Sequence, residues 1–436
     1  MKRTPPAPSR DAVRRTGATS WVLFGSAVSG IGAYLFQIVG TRNLGELAYA
    51  PISVLWTMQY LILSIVLISV EANLTRAVTL ADGARGTLRR HTTAVTSWIL
   101  ITAALVGGVS YVYRGPLFGG LSEMAAVAAL LVVNYGLFVT LRGWLAGVGR
   151  FRSYGIVTGG ESVSRLLATI VIVAVAATPT AIAWVMPLGP MIVFAWWIRE
   201  RRKPVVEPAT VDQPPLPPPE ASTNRFLAST TLANASSQIL LAAGPLLLIP
   251  LGAGAAEVSV FFVTVTAARA PLAFALGGVL SRVLPPLTRM ARSGEWARLR
   301  RIALGLGGGT LLLATLGAAA AWWAGPAIIA LFFGASFRPE GWFVAVAAAT
   351  VLLACGALLL NQLLIGMRAE SRLIVPWLVS LGVGVTLVVT LTGTPTFRVA
   401  NAFMAGELVA LFALLAAVLA TARSRARVFA TTDTDP

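Results

Sequence analysis

Several polar and charged side chains lie inside long apolar runs of this sequence, where each costs free energy and therefore needs a chemical reason. Arg269 is the sharpest case. It sits in Thr264-Val265-Thr266-Ala267-Ala268-Arg269-Ala270-Pro271, and no acidic residue lies three or four positions away to pair with it on a helix. It falls roughly twelve residues, ~18 Å of helix, from one end of its run. Its counter-charge must come from another helix, from water or from a ligand. An unpaired guanidinium matches phosphate oxygens bidentately; an interhelical pair or hydrogen bonds to carbonyls would answer the same observation.

Glu161 and Arg165 stand four apart, on one helix face, as a self-neutralising pair inside a bundle or as the polar wall of a cleft. Glu407 has no helical partner, so it neutralises an arginine elsewhere or takes up protons. Gln37 is a polar group in the first apolar run. Asn134, Asn234, Gln238, Asn361 and Gln362 are of the kind that more often bridges helices than binds substrates. Glu71 and Asn73 lie at the end of an apolar run, where polar side chains can reach water.

The rest of the inventory argues against catalysis. No aspartate falls within an apolar run, and no carboxylate pair, nucleotide loop or nucleophile–base constellation is visible. The chain holds one cysteine, Cys355, and one histidine, His91. Neither a disulfide framework nor a cysteine or histidine metal centre can be built from these. The sequence calls for no cofactor and no metal, and the chain is not expected to be an enzyme.

These residues must be positioned by membrane-length elements. Of 436 residues, 56% are hydrophobic and 12% charged, about half the charged share of an ordinary soluble domain. The runs reach the roughly 20 residues a bilayer needs. Twelve spans are predicted: Ser20–Gly40, Tyr49–Val70, Ala94–Val112, Met124–Leu141, Tyr154–Ala176, Ala181–Ile198, Phe226–Pro250, Val258–Leu284, Ile302–Trp323, Trp342–Gly366, Leu373–Leu391 and Val399–Ala422. The first, behind a basic lead, reads as an uncleaved helix rather than a signal peptide. Between spans six and seven, Arg199–Arg225 is rich in proline and charge, and reads as an extended, water-exposed tether. The expected organisation is a six-helix bundle over 1–198, a cytoplasmic linker over 199–225, a second bundle over 226–422 and a cytoplasmic tail over 423–436.

Charge placement orients this layout. With the N-terminus inside, 28 of the 34 Lys/Arg lie in or beside the inside segments. The outside loops hold four, Arg42, Arg114, Arg338 and Arg398. That is a positive-inside pattern, and it places both termini and the tether in the cytoplasm. It also accounts for the net charge of +17 through anionic membrane lipids rather than nucleic acid. The outside loops are too short for an extracytoplasmic catalytic domain.

The halves echo each other. Leu74-Thr75-Arg76 matches Leu287-Thr288-Arg289. Gly115-Pro116-Leu117-Phe118-Gly119 matches Gly325-Pro326 with Leu331-Phe332-Phe333-Gly334. Trp144-Leu145-Ala146-Gly147 matches Leu363-Leu364-Ile365-Gly366. The offsets are 213, about 215 and 219, at corresponding topological positions, which points to a six-helix repeat. Six is even, so both copies insert the same way up. The expected fold is an all-α polytopic membrane protein of twelve transmembrane helices, in two six-helix bundles related by a pseudo-two-fold axis along the membrane normal. Internal prolines (Pro187, Pro190, Pro245, Pro271, Pro376) are expected to kink spans and free carbonyls that neighbours must satisfy.

The segment from Leu141 to Tyr154, Leu-Arg-Gly-Trp-Leu-Ala-Gly-Val-Gly-Arg-Phe-Arg-Ser-Tyr, resembles the span four–five junction of polysaccharide-type lipid-sugar flippases. These belong to the multidrug/oligosaccharidyl-lipid/polysaccharide exporter superfamily. Thr41-Arg42-Asn43-Leu44-Gly45-Glu46 is similar to that group's Arg-x-Leu-Gly turn, and Leu331-Phe332-Phe333-Gly334 is a third echo. Ala50 departs from the pattern where a second glycine is expected. The resemblance implies two bundles around a polar cleft in a bacterial cell membrane. It further implies a polyprenyl-phosphate-linked saccharide as substrate, moved from inner to outer leaflet by alternating access, with polysaccharide-assembly proteins as partners. Arg269 would meet the phosphate, with Gln37, Glu161, Arg165 and Glu407 as further substrate-binding groups of the cleft. Alternatives are a cation-coupled multidrug exporter of the same superfamily, for which Glu161 and Glu407 are the only buried carboxylates, and a non-transporting scaffold. A major-facilitator transporter shares the layout, but its Gly-x-x-x-Asp-Arg-type loop is absent from Ala81-Asp82-Gly83-Ala84-Arg85-Gly86.

Overall fold

The computed structural model describes residues 10–80, 85–201 and 235–432. Most of the tether, residues 202–225, and Asn234 lie outside the described residues, as do 433–436 of the tail. Every described element is helical, and no strand occurs among the described residues. In chain order they are α1 (Arg10–Ile62), a π segment (Leu63–Leu67), α2 (Ile68–Leu80), α3 (Arg85–Val112), α4 (Arg114–Phe118), α5 (Glu123–Gly147) and α6 (Phe151–Val175). Then come α7 (Pro179–Val185), a 3-10 turn (Met186–Met191), α8 (Ile192–Arg201), helical residues 235–242 as α9, α10 (Gly244–Leu248) and a 3-10 turn (Ile249–Leu251). The series closes with α11 (Ala255–Arg292), α12 (Trp296–Phe333), α13 (Gly341–Gly366), a 3-10 turn (Glu370–Leu373), α14 (Ile374–Thr390) and α15 (Pro395–Thr432). Residues 226–234 of span seven also lie outside the described residues; over the described residues every expected span finds a helical counterpart, so the all-α polytopic fold holds.

Three departures from the expected spans have local causes. Spans one and two form one run of helix, α1, interrupted only at Gly45 (φ 72°, ψ 177°). Only glycine takes that backbone without strain, so the expected loop is a kink. Span six is broken into α7, a 3-10 turn and α8 where Pro187 and Pro190 fall. The Pro187 carbonyl released there accepts the Asn134 Nδ2 proton at 2.8 Å, so the neighbouring span supplies the missing donor. Span nine continues as α12 through Pro326 to Phe333, so the Leu331–Gly334 segment ends a helix rather than lying in a loop.

The described residues group into two compact units. The first is drawn from Met1–Val39, Leu67–Tyr111 and Ala125–Pro214; the second from Gly40–Val66, Val112–Met124 and Pro215–Pro436.

In the first unit the helices approach on glycine. A Cβ on Gly25 of α1 would stand 2.1 Å from the Gly155 oxygen of α6, and one on Gly155 would stand 2.1 Å from the Trp21 oxygen. On α5, a Cβ on Gly143 would lie 3.2 Å from the Leu74 Cβ, and one on Gly147 would lie 3.0 Å from the Thr75 oxygen. The second unit repeats this crossing: Gly366 of α13 packs on Leu287 and Thr288 of α11, with 3.2 Å to the Leu287 Cβ. The Leu-Thr and glycine echoes seen in the sequence are thus the two sides of one helix crossing, built twice.

In the second unit Tyr49, buried, sets its ring against Phe262 (centroids 6.3 Å apart) and edge-on to Phe337 (6.3 Å). Glu257 accepts from the Thr396 backbone (2.9 Å) and hydroxyl (2.7 Å), joining the starts of α11 and α15.

Candidate functional site

The polar residues expected inside the spans fall into two constellations, one in each unit. In the first unit α6 carries Glu161 and Arg165 on one face, both buried. The Arg165 Nη1 lies 3.0 Å from Glu161 Oε1. Tyr135 of α5 donates its hydroxyl proton to the same oxygen at 2.6 Å and accepts from Arg165 Nη1 at 2.6 Å. Ser162 donates to Glu161 Oε2 at 2.8 Å, and the Ser162 and Ser29 hydroxyls lie 3.0 Å apart. The Phe36 ring lies 5.4 Å from the Arg165 guanidinium carbon, and Gln37, the next residue, is buried. Gly189 of the broken span closes over the pair, since a Cβ there would stand 2.8 Å from Glu161 Oε1. Both carboxylate oxygens are bonded and the two charges meet each other. The cluster is a self-neutral buried network.

A second ion pair stands toward the end of α5. Arg142 lies 3.1 Å from Glu71 Oε1. The Tyr154 hydroxyl donates to the same oxygen at 2.9 Å and accepts from Arg142. The guanidinium stacks over the Tyr154 ring (4.7 Å) and the Phe138 ring (5.3 Å). With Gly143 and Gly147 against α2, and Gly149 (φ 72°) turning the chain into α6, the Leu141–Tyr154 segment is a clamp among α2, α5 and α6.

The second unit holds Arg269 and Glu407, and here the charges are not joined. Arg269 of α11 is partly exposed. Its guanidinium carbon lies 4.6 Å from the centroid of the Tyr60 ring, and it makes no ion pair or hydrogen bond among the described residues. Tyr60 in turn donates its hydroxyl to Gln238 Oε1 of α9 at 2.8 Å. Glu407 of α15 is 0% exposed, and neither carboxylate oxygen finds a hydrogen-bond partner among the described residues. The Arg269 charge acts on it through space.

One helical turn back along α11 and α15 from these two residues, Val265 and Phe403 line an apolar cavity of about 20 Å³ with Leu240, Phe261, Phe343 and Thr350. That is near the size of one water. The one hydroxyl among these six, that of Thr350, is already bonded to the Val346 oxygen at 2.7 Å, so the cavity offers a water too few partners.

Of the five candidate residues, the structure therefore brings Glu161 and Arg165 into one cluster beside Phe36, while Gln37 is buried one residue on. It brings Arg269 and Glu407 into electrostatic reach of each other in the second unit. Sequence reasoning passed over Tyr60, Tyr135 and Tyr154. The signal was present: a tyrosine within an apolar span must place its hydroxyl on a partner, and these three place theirs on Gln238, Glu161 and Glu71.

No protein-family signature matches the chain, and no curated protein matches it in sequence. Solved structures do. The inward-facing conformation of a multidrug resistance MATE family transporter of the MOP superfamily superposes with a TM-score of 0.65. It is 14% identical and covers 94% of this chain and 96% of its own. The outward-facing conformation gives 0.55 at 14% identity, covering 96% of each chain. A substituted form of the Vibrio cholerae MATE transporter VcmN gives 0.51 at 16% identity, covering 94% of this chain and 97% of that one. The likeness extends over nearly the whole of both chains, so the fold is that of the MATE transporters.

Proposed function

We propose that this chain is a membrane transporter working by alternating access, and that its cargo is a saccharide linked to a polyprenyl phosphate, carried from the inner to the outer leaflet. The MATE fold supports the transport part of this reading, since its structural neighbours are described in inward- and outward-facing conformations. The single observation carrying the cargo class is Arg269. Its guanidinium carbon lies over the Tyr60 ring, and its N–H donors are unclaimed among the described residues, so they are open to an oxyanion. A headgroup of sugar and phosphate has many polar groups that cost free energy to desolvate. Holding such a headgroup in a polar environment while its tail remains in lipid avoids that cost. In this reading the membrane is a bacterial plasma membrane with both termini cytoplasmic, as the arginine distribution favours. The partners are membrane lipids and the proteins that assemble the polysaccharide.

A second reading is a cation-coupled multidrug exporter. It is favoured by Glu407, a fully buried carboxylate with no hydrogen-bond partner among the described residues, and by neighbours described as multidrug resistance transporters.

Proteoliposomes containing the full chain separate the two. The flippase reading expects leaflet transfer of a fluorescent polyprenyl-diphosphate-linked monosaccharide, slowed but still measurable in Arg269→Ala. Transfer unchanged in Arg269→Ala would remove the phosphate role, and ion-driven export of a cationic dye in place of lipid transfer would favour the second reading.

A further inference from the structure

We propose that Tyr60 and Gln238 are positioning residues for the anion site: the Tyr60 ring holds the Arg269 guanidinium plane, and Gln238 holds the ring. This rests on the reading that Arg269 meets an anionic headgroup.

The physical need is specific. An arginine side chain is long and flexible, and its advantage over lysine is a planar fork whose bidentate grip depends on the orientation of that plane. Where an arginine is tied to a carboxylate, the carboxylate sets the plane, as Glu161 does for Arg165 at 3.0 Å. Arg269 has no such tie among the described residues. What fixes it is the face of Tyr60, 4.6 Å from ring centroid to guanidinium carbon, inside the roughly 6 Å over which a ring attracts a cation. Stacking occupies a face and leaves the in-plane donors free. A carboxylate would hold the group equally well but would consume the donors the ligand needs.

The ring is itself anchored. The Tyr60 hydroxyl reaches Gln238 Oε1 at 2.8 Å, so three separate elements, α1, α9 and α11, converge on one guanidinium. The backbone next to Tyr60 is also unusual. Three residues on, α1 gives way to the π segment Leu63–Leu67, and the Ser64 hydroxyl bonds back to the Tyr60 carbonyl at 2.7 Å. The π turns of proteins are rare, and they are frequent at functional sites.

The test is a substitution series at residue 60, read as the apparent KM and maximal rate for the fluorescent polyprenyl-diphosphate-linked monosaccharide in proteoliposomes of the full chain. A platform role predicts that Tyr60→Trp and Tyr60→Phe keep KM within about threefold, while Tyr60→Leu raises it about tenfold with little change in maximal rate. In an Arg269→Ala background the difference between Tyr60 and Tyr60→Leu disappears. Gln238→Leu and Tyr60→Phe each raise KM about two- to threefold and are not additive, because they remove the same hydrogen bond. This second pair decides the matter if Tyr60→Leu does not fold. The proposal is overturned if KM follows side-chain volume with Tyr60→Trp worst, if the Tyr60→Leu effect persists without Arg269, or if Gln238→Leu and Tyr60→Phe add. An Arg269→Ala chain that transports normally fails the anion reading itself, whereas an impaired Arg269→Ala with a volume-ordered series at residue 60 fails the platform alone.

Discussion

Arg42 donates its Nε proton to the Phe332 carbonyl at 2.8 Å and a second N–H to the Leu331 carbonyl, at the point where α12 ends. Residues that are 289 and 290 positions apart thus form one contact. The arginine satisfies carbonyls left over at a helix C-terminus. Arg398 does the same for α14, with its Nη2 2.7 Å from the Val388 oxygen. Arg42→Ala is therefore expected to lower unfolding stability by about 1 kcal/mol. Arg42→Lys should recover only part of this, since an ammonium lacks the fork. Thermal unfolding in detergent measures it, and an unshifted midpoint in Arg42→Ala would show the contact to be idle.

This contact also shows what could be read from the sequence and what could not. Span positions followed from apolar run length, because burying backbone in lipid permits little besides helix. A close helix crossing needs glycine on one side, and Gly143 and Gly366 each sit against the leucine of a Leu-Thr pair. That Glu161 and Arg165 would meet followed from their spacing alone. Three things were hidden because they depend on distant partners. Nothing local tells that Gly45 would kink a helix rather than open a loop. The pairing of Tyr135 with Glu161 joins different spans. Arg269 looks the same in sequence whether it faces a carboxylate or the ring of Tyr60.

The Glu161 cluster is expected to behave as a unit. Glu161→Gln leaves the Arg165 charge buried against a neutral partner, which costs about 3–5 kcal/mol. Glu161→Leu combined with Arg165→Met removes both charges and should recover most of that loss. A double-mutant cycle on thermal stability measures the coupling, and additive losses would contradict a shared network. The same double variant bears on the cleft role of these residues, because a stable protein that no longer moves the lipid-linked probe would place the pair in the transport machinery.

The contact between α1 and α6 is expected to tolerate no side chain. Gly25→Ala or Gly155→Ala would place a Cβ 2.1 Å from a backbone oxygen of the other helix, and backbone cannot yield as a flexible side chain does. A loss of about 1–3 kcal/mol is expected for either. Gly108→Ala, on α3 with nothing within 4 Å of its Cβ, should be neutral or slightly stabilising, because it only removes glycine's helix penalty. Equal effects at Gly155 and Gly108 would mean that close approach is not what these glycines provide.

Glu407 is expected to trade stability for activity. A carboxyl with 0% exposure and no donor on either oxygen among the described residues is a desolvated polar group that the fold does not repay. Glu407→Met fills similar space without that penalty and should raise stability by about 1–3 kcal/mol. In the same variant, translocation in proteoliposomes is expected to fall, because the Arg269 charge acts on Glu407 through space. Whenever Glu407 carries its charge it offsets the field of that guanidinium, so its removal tightens the grip on an anionic cargo and slows release. The signature is a lower apparent KM together with a lower maximal rate, as when ground-state binding is strengthened without the rate following. A Glu407→Met protein that is more stable and transports at the full rate would reduce Glu407 to a packing fault. One that is less stable would mean that the carboxyl is held by contacts that its two unpartnered oxygens do not reveal.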